Sequence, residues 1–160
     1  VPEGTELIRV EATSDMLRAC QAHLEKSDIL IMAAAPADFT PANPSEHKVK
    51  KQESQTTLEL EKTPDILKTL AARSQGKVTV GFAAETKDLL RYAQDKLNRK
   101  DLDLIVANDI SRPDAGFGTD TNAVALVTQS NHRELKLAPK TQIAHDVLDE
   151  ILSIMETKGD

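Results

Sequence analysis

Apolar residues recur along this chain with two periods, one suited to strands and one to helices. Over Thr5–Val10 the residues Leu7, Ile8 and Val10 alternate with polar ones and predict a short strand. Ser14–Lys26 carries Leu17, Ala19, Cys20 and Leu24 at helical spacing, with Thr13 or Ser14 as its N-cap. Asp28–Ala34 is a continuous apolar run ending in small residues, as a strand buried on both faces of a parallel sheet requires. Ala35–Lys51, with Pro36, Pro41 and Pro44, predicts a long loop, and Gln55–Lys62 a strand with one face in water. Thr63-Pro64-Asp65 then opens a helix, Thr63 as cap and Pro64 in the first turn, that stops by Gly76.

The second half repeats the alternation. Val78–Ala84 and Leu102–Ala107 are buried strands flanking an amphipathic helix over Thr86–Lys100, and Asn108–Thr121 is a loop. Ala123–Thr128 and Arg133–Leu137 predict a hairpin across Gln129–Asn131, and Lys140–Met155 a final helix. Strands alternating with helices of this length predict one α/β domain, a doubly wound, mostly parallel sheet with an antiparallel hairpin at its edge.

Composition narrows the function. The 160 residues are 39% hydrophobic and 29% charged, the balance of a globular domain. The longest apolar run, Ile29–Ala35, is far below the roughly 18 residues of a membrane span, so no membrane partner is expected. A net charge of −6 argues against a general nucleic-acid surface, so any polyanion must be met by local basic clusters. The single cysteine, Cys20, fits a reducing compartment and a place in the core. The histidines and Cys20 lack metal-ligand spacing, and GxGxxG and Walker loops are both missing from the sequence. The chain opens on Val1 and carries no visible targeting segment.

Ligands of doubly wound sheets lie beyond the carboxyl ends of the strands. Ala33-Ala34-Ala35-Pro36-Ala37-Asp38 is therefore a first candidate: small side chains admit a ligand to the backbone, and Asp38 can accept from a ribose. The plainer alternative there is a turn with a surface aspartate. His47-Lys48-Val49-Lys50-Lys51 is a second, where lysines can close over phosphates or simply blunt a solvated edge strand. Gly81 inside a strand suggests close approach of a ligand or another backbone, and Phe82 beside it, one of four aromatic residues, suits a base or ribose as well as a core. Lys96 and Lys100 share a helix face, where solvent-facing lysines are the default.

Taken in order, A-A-A-P-A-D-F, H-K-V-K-K, T-P-D-I-L, G-F-A-A-E-T, K-x-x-x-K, L-I-V-A-N-D and G-F-G-T-D-T-N-A-V resemble the synthetase domain of bacterial phosphopantothenate–cysteine ligase over about Thr5–Met155. The resemblance implies a Rossmann-like fold, a cytoplasmic homodimer, and a two-step ligation of 4′-phosphopantothenate to L-cysteine in coenzyme A biosynthesis. CTP, with Mg2+, would activate the acid as an acyl-cytidylate before the amine displaces CMP. By the same resemblance Lys48 is the catalytic lysine and a nucleotide contact. Met32, Ala33, Ala34, Asp38, Thr63, Pro64, Asp65, Ile66, Phe82, Lys96 and Lys100 are the other nucleotide-binding positions, with the positive end of the helix beginning at Pro64 adding to the attraction.

The family's synthetase domain begins earlier, with a Gly-rich strand-loop-helix, and is usually fused behind a decarboxylase domain that holds FMN. The chain is accordingly expected to be a fragment that keeps much of the nucleotide site without full ligase activity, and the loop Ala42–Glu53 is expected to be mobile. The alternatives are a non-catalytic nucleotide-binding or dimerisation module, and a dehydrogenase, which the lack of a glycine-rich phosphate loop disfavours.

Overall fold

The computed structural model describes residues 2–45, 47–48, 57–111, 114, 116 and 118–159. Five strands form the main sheet in the order β1 (Ile29–Met32), β4 (Val78–Glu85), β5 (Leu104–Asp109), β6 (Thr121–Val127), β7 (His132–Pro139). The first three run parallel, and β6 and β7 continue antiparallel as the edge hairpin. Four helices complete the chain: α1 (Thr13–Leu24), α2 (Ile66–Ala71), α3 (Leu89–Lys100) and α4 (Lys140–Gly159).

Pleating sends alternate residues of the buried strands to opposite faces. Val78 and Val80 of β4, Leu104 and Val106 of β5, and Val124 and Leu126 of β6 pack with Ile143, Val147 and Ile151 of α4. Ala83, Ile105, Ala107, Ala125 and Val127 face the other way, toward α1, α2 and α3. That face is paved with small residues, and Ala93 and Leu97 of α3 are fully buried against it. Helices therefore cover both faces, as a doubly wound sheet demands. At the amino ends of the strands Asp103 accepts from Thr79 N (2.7 Å) and Thr79 Oγ1 (3.0 Å) and pairs with Lys158 Nζ (2.7 Å), which ties the end of α4 to the sheet.

Four expectations change. Thr5–Val10 forms no ladder, and Leu7, Ile8 and Val10 are exposed. Alternation makes a segment fit to be a strand, but among the described residues no strand lies alongside to pair with it. The Pro-rich loop contains β2 (Phe39–Pro41), which pairs antiparallel with β3 (Leu60–Lys62) as a separate two-stranded sheet. Helix α1 is capped one residue earlier than its threonine and serine suggest: Ala12 is the N-cap, and Asp15 reaches back to accept from its N–H at 3.1 Å. Helix α2 starts after Asp65, not at Pro64, because Asp65 accepts from Lys68 N while Thr63 Oγ1 donates to Ala37 O. Residues 46 and 49–56, including Lys50, Lys51 and half of the stretch Ala42–Glu53 read as a mobile loop, lie outside the described residues.

Candidate functional site

Beyond the carboxyl ends of β1 and β4 lies a cleft of about 540 Å³. Its floor is Met32–Asp38 on one side and Phe82–Glu85 on the other; Thr63–Leu67 forms one wall, and Lys96, Lys100 and Asn108 close it. Every nucleotide-binding position named from the sequence lines this cleft except Lys48. Met32 and Ile66 belong to the core, 6% and 3% exposed, so their side chains serve chiefly as packing beneath the cleft. Asp38 is exposed, and its backbone carbonyl accepts from Thr63 N at 3.0 Å, which fastens the two walls together. Lys48 is exposed on the segment that follows β2, beyond a turn in which Ser45 Oγ donates to His47 O.

The two lysines on α3 are not solvent-facing. Lys96 is half-buried and donates from Nζ to Phe82 O at 2.7 Å. Lys100, with its side chain 15% exposed, sits 2.8 Å from both oxygens of Asp65. Ala93 and Leu97 fix this orientation, because each stands three residues before a lysine and is fully buried, which turns that shoulder of the helix inward. Burial pushes the Lys96 ammonium below the usual lysine value, and the neighbouring Lys100 charge adds to this, with Glu85 opposing. Burial by itself would raise the Asp65 carboxyl. Hydrogen bonds from Lys100 and from Lys68 N, with the charges of Lys100 and Arg99, outweigh that and hold it below the usual carboxylate range. A depressed carboxyl lends stability above its unfolded value, so the Asp65–Lys100 link contributes at neutral pH and is lost as pH falls through the lowered value.

Two consequences follow for an anion. Helix α2 has six residues, and Lys68 N is already taken by Asp65, so its amino end has one donor fewer for a phosphate. The positive end of this helix lies after Asp65 rather than at Pro64, and the lysines stand beside it in the same cleft. A polyanion reaching Lys96 raises its depressed value again, so proton uptake should accompany binding in alkaline buffer. Nucleotide titrations in two buffers of different ionisation enthalpy measure this; equal heats in both would show that Lys96 is not engaged.

Glu85 and Asn108 also face the cleft, though the sequence reading gave neither a role. Their signal was position, at the carboxyl ends of β4 and β5 where doubly wound sheets place ligands. On the opposite face, an apolar cavity of about 420 Å³ lies between the strand ends and α4, and Phe82 and Asn108 line it as well. Cys20 packs against the α1–α3 core, and burial pushes its thiol up, in keeping with a packing role. Among the described residues no group of three or more His, Cys, Asp or Glu side chains is placed to hold a metal, and no helix is long and apolar enough to cross a membrane.

Residues 1–155 match the family described as the DNA/pantothenate metabolism flavoprotein C-terminal domain. The chain is 45% identical over 161 residues to the coenzyme A biosynthesis bifunctional protein CoaBC of Bacillus subtilis, an alignment covering 99% of this chain and 40% of that protein. It is 37% identical over 162 residues to the protein of the same name from Escherichia coli strain K12, again across 99% of this chain and 40% of the relative. Among solved structures, the C-terminal domain of a CoaBC protein is similar with a TM-score of 0.74 at 33% identity, covering 96% of this chain and 66% of that one. The chain therefore spans about two-fifths of the length of these curated relatives.

Proposed function

Because the chain belongs to the DNA/pantothenate metabolism flavoprotein C-terminal domain family, we propose that it carries the nucleotide site of a CTP-dependent ligase joining 4′-phosphopantothenate to L-cysteine. The observation that carries this reading is the pair of inward lysines, Lys96 and Lys100, at a cleft beyond the strand ends of an acidic protein. A triphosphate brings about four negative charges, and pre-placed ammonium groups stabilise it most where water is partly excluded.

In the first step a carboxylate oxygen of the acid attacks the α-phosphorus of CTP, the bond to the β-phosphate breaks, and pyrophosphate leaves. In the second the cysteine nitrogen attacks the acyl carbon, the carbon–oxygen bond to CMP breaks, and the amine proton passes to solvent. Lys96 and Lys100 hold phosphate oxygens, the backbone of Ala33 and Ala34 meets the nucleotide, Asp38 accepts from its ribose, and Phe82 packs against it. Lys48 closes on the phosphates from the segment after β2 and offsets the charge that moves between oxygens. The cleft is lined by the carboxylates of Asp38 and Glu85, and so small a set suits hydrated Mg2+ arriving on the triphosphate better than a dedicated protein cage. A second copy of the chain, and a decarboxylase domain with its FMN in a longer protein, complete the proposed assembly.

Calorimetric titration with CTP and with ATP, each with Mg2+, tests the nucleotide; adding the acid and cysteine and following CMP release tests the ligation. Tighter binding of CTP with CMP release is the expected result for a competent ligase. CTP binding without CMP release fits a chain that carries the nucleotide site but needs a longer protein for the ligation, and equally a nucleotide-binding module. No binding of either nucleotide overturns the reading.

A further inference from the structure

Of the carboxylates lining the lysine-bearing cleft, Asp65 is spent on Lys68 N and Lys100, and Asp38 is exposed. Glu85 is half-buried, and among the described residues its carboxylate accepts no hydrogen bond and forms no ion pair. Its backbone is fixed at the last rung of the sheet, opposite Asp109 of β5, with its carbonyl accepting from Ile110 N at 3.1 Å. Pleating puts it on the same face as Ala83, toward α3. A negative charge held in a cleft that draws a polyanion opposes binding unless a cation comes too. The structure already places a cation there. Strand β1 stops opposite Gly81, and beyond that end Lys96 Nζ donates to Phe82 O at 2.7 Å, where the Glu85 charge also acts on it. The head of a lysine is a primary ammonium, the same group that an amino acid carries at neutral pH.

We propose that Phe82 O and the Glu85 carboxylate form the subsite for the ammonium group of the amino-acid substrate, which Lys96 fills until nucleotide phosphates draw it away. This rests on the ligase reading and adds to it the place of the second substrate. The flexible four-carbon stem of Lys96 lets Nζ exchange Phe82 O for a phosphate oxygen without any movement of α3. The vacated position then offers one neutral and one charged acceptor to the N–H donors of an incoming ammonium. The exchange also sets an order. The amine subsite opens only once the triphosphate that must activate the acid has entered. Hydrated Mg2+ on the triphosphate is the other cation that a lone carboxylate here can meet, and metal dependence separates the two.

The test is calorimetric titration of the chain with L-cysteine and with 3-mercaptopropionate, which lacks the amine, before and after saturation with CTP and Mg2+. Saturating nucleotide is expected to tighten the binding of cysteine several-fold and not that of 3-mercaptopropionate. K96A empties the subsite in advance, so without nucleotide it binds cysteine more tightly than the wild type does. E85Q keeps the size of the side chain and loses its charge. It is expected to bind cysteine roughly tenfold or more weakly, the size of a lost hydrogen bond to a charged group, and 3-mercaptopropionate as the wild type does. CTP without Mg2+ should bind E85Q at least as tightly as the wild type, because a repelling charge is gone. If E85Q loses CTP affinity only when Mg2+ is present, Glu85 serves the metal and the inference is overturned. Cysteine affinity indifferent to CTP, or an E85Q that loses both thiols equally or neither, overturns it too. In all these cases CTP binding by the wild type leaves the ligase reading standing, whereas a wild-type chain that binds no CTP removes both.

Discussion

Replacing Lys96 and Lys100 together by alanine is expected to weaken CTP binding by at least about a hundredfold. Each ammonium contributes a charge-assisted hydrogen bond to phosphate worth roughly 1.5–3 kcal/mol, so losing two costs about 3–6 kcal/mol, or two to four powers of ten. The two single variants should not be equal. Lys100 lies 2.8 Å from Asp65, so K100A removes a positive charge and also exposes an unpaired carboxylate to the incoming phosphates. K96A removes a charge that burial already disfavours and frees Phe82 O, so its effect should be smaller. Added salt should weaken wild-type binding more steeply than that of the double variant, because fewer ion pairs remain to be screened. Melting curves separate this from unfolding, since both lysines stand at the edge of the core. Normal CTP affinity in the double variant would place the nucleotide elsewhere.

How far the sequence led depends on which physical force decides each feature. Where burial decides, it led well: Val78–Ala84 reads as a strand apolar on both faces, and the strand found there, Val78–Glu85, contributes to the core on both sides of the sheet. Alternation over Thr5–Val10 looks equally strand-like, yet a strand also needs a neighbour, and no local pattern reports one. Asp65 was legible as a site residue through T-P-D-I-L, but its carboxylate is spent on Lys68 N and Lys100, a division of labour that depends on a residue thirty-five positions away. The inward turn of Lys96 and Lys100 had a signal in the sequence, since Ala93 and Leu97 precede them at helical spacing. Lys48 is the opposite case. It follows a strand only three residues long, and the spacing of H-K-V-K-K does not say where that segment lies relative to the cleft.

Gly81 shows how a correct observation can lead to the wrong cause, and it gives the second large effect. Its position inside a strand suggested close approach by a ligand or backbone. In the fold a Cβ added there would meet Leu67 Cδ2 at 2.8 Å and Ile105 Cδ1 and Leu102 Cδ1 each at 3.0 Å. The glycine makes room for core side chains beneath α2. Its φ is not in the left-handed region, so space rather than backbone conformation is the constraint. Alanine should be tolerated within about 1 kcal/mol, because terminal methyls can rotate aside and the unfolded chain loses some freedom. Valine puts two more methyl groups into a filled site and should cost about 2–3 kcal/mol, lowering the melting temperature by roughly 5–10 °C. The damage should reach the cleft as well. Leu67 follows Asp65 and Ile66 at the start of α2, so displacing it shifts the carboxylate that holds Lys100. G81V is therefore expected to bind CTP several-fold more weakly even well below its melting point, while G81A binds normally. An unchanged melting temperature in G81V would show that the core beneath α2 has slack; lowered stability with normal CTP affinity would show that α2 and the Lys100 ion pair move independently.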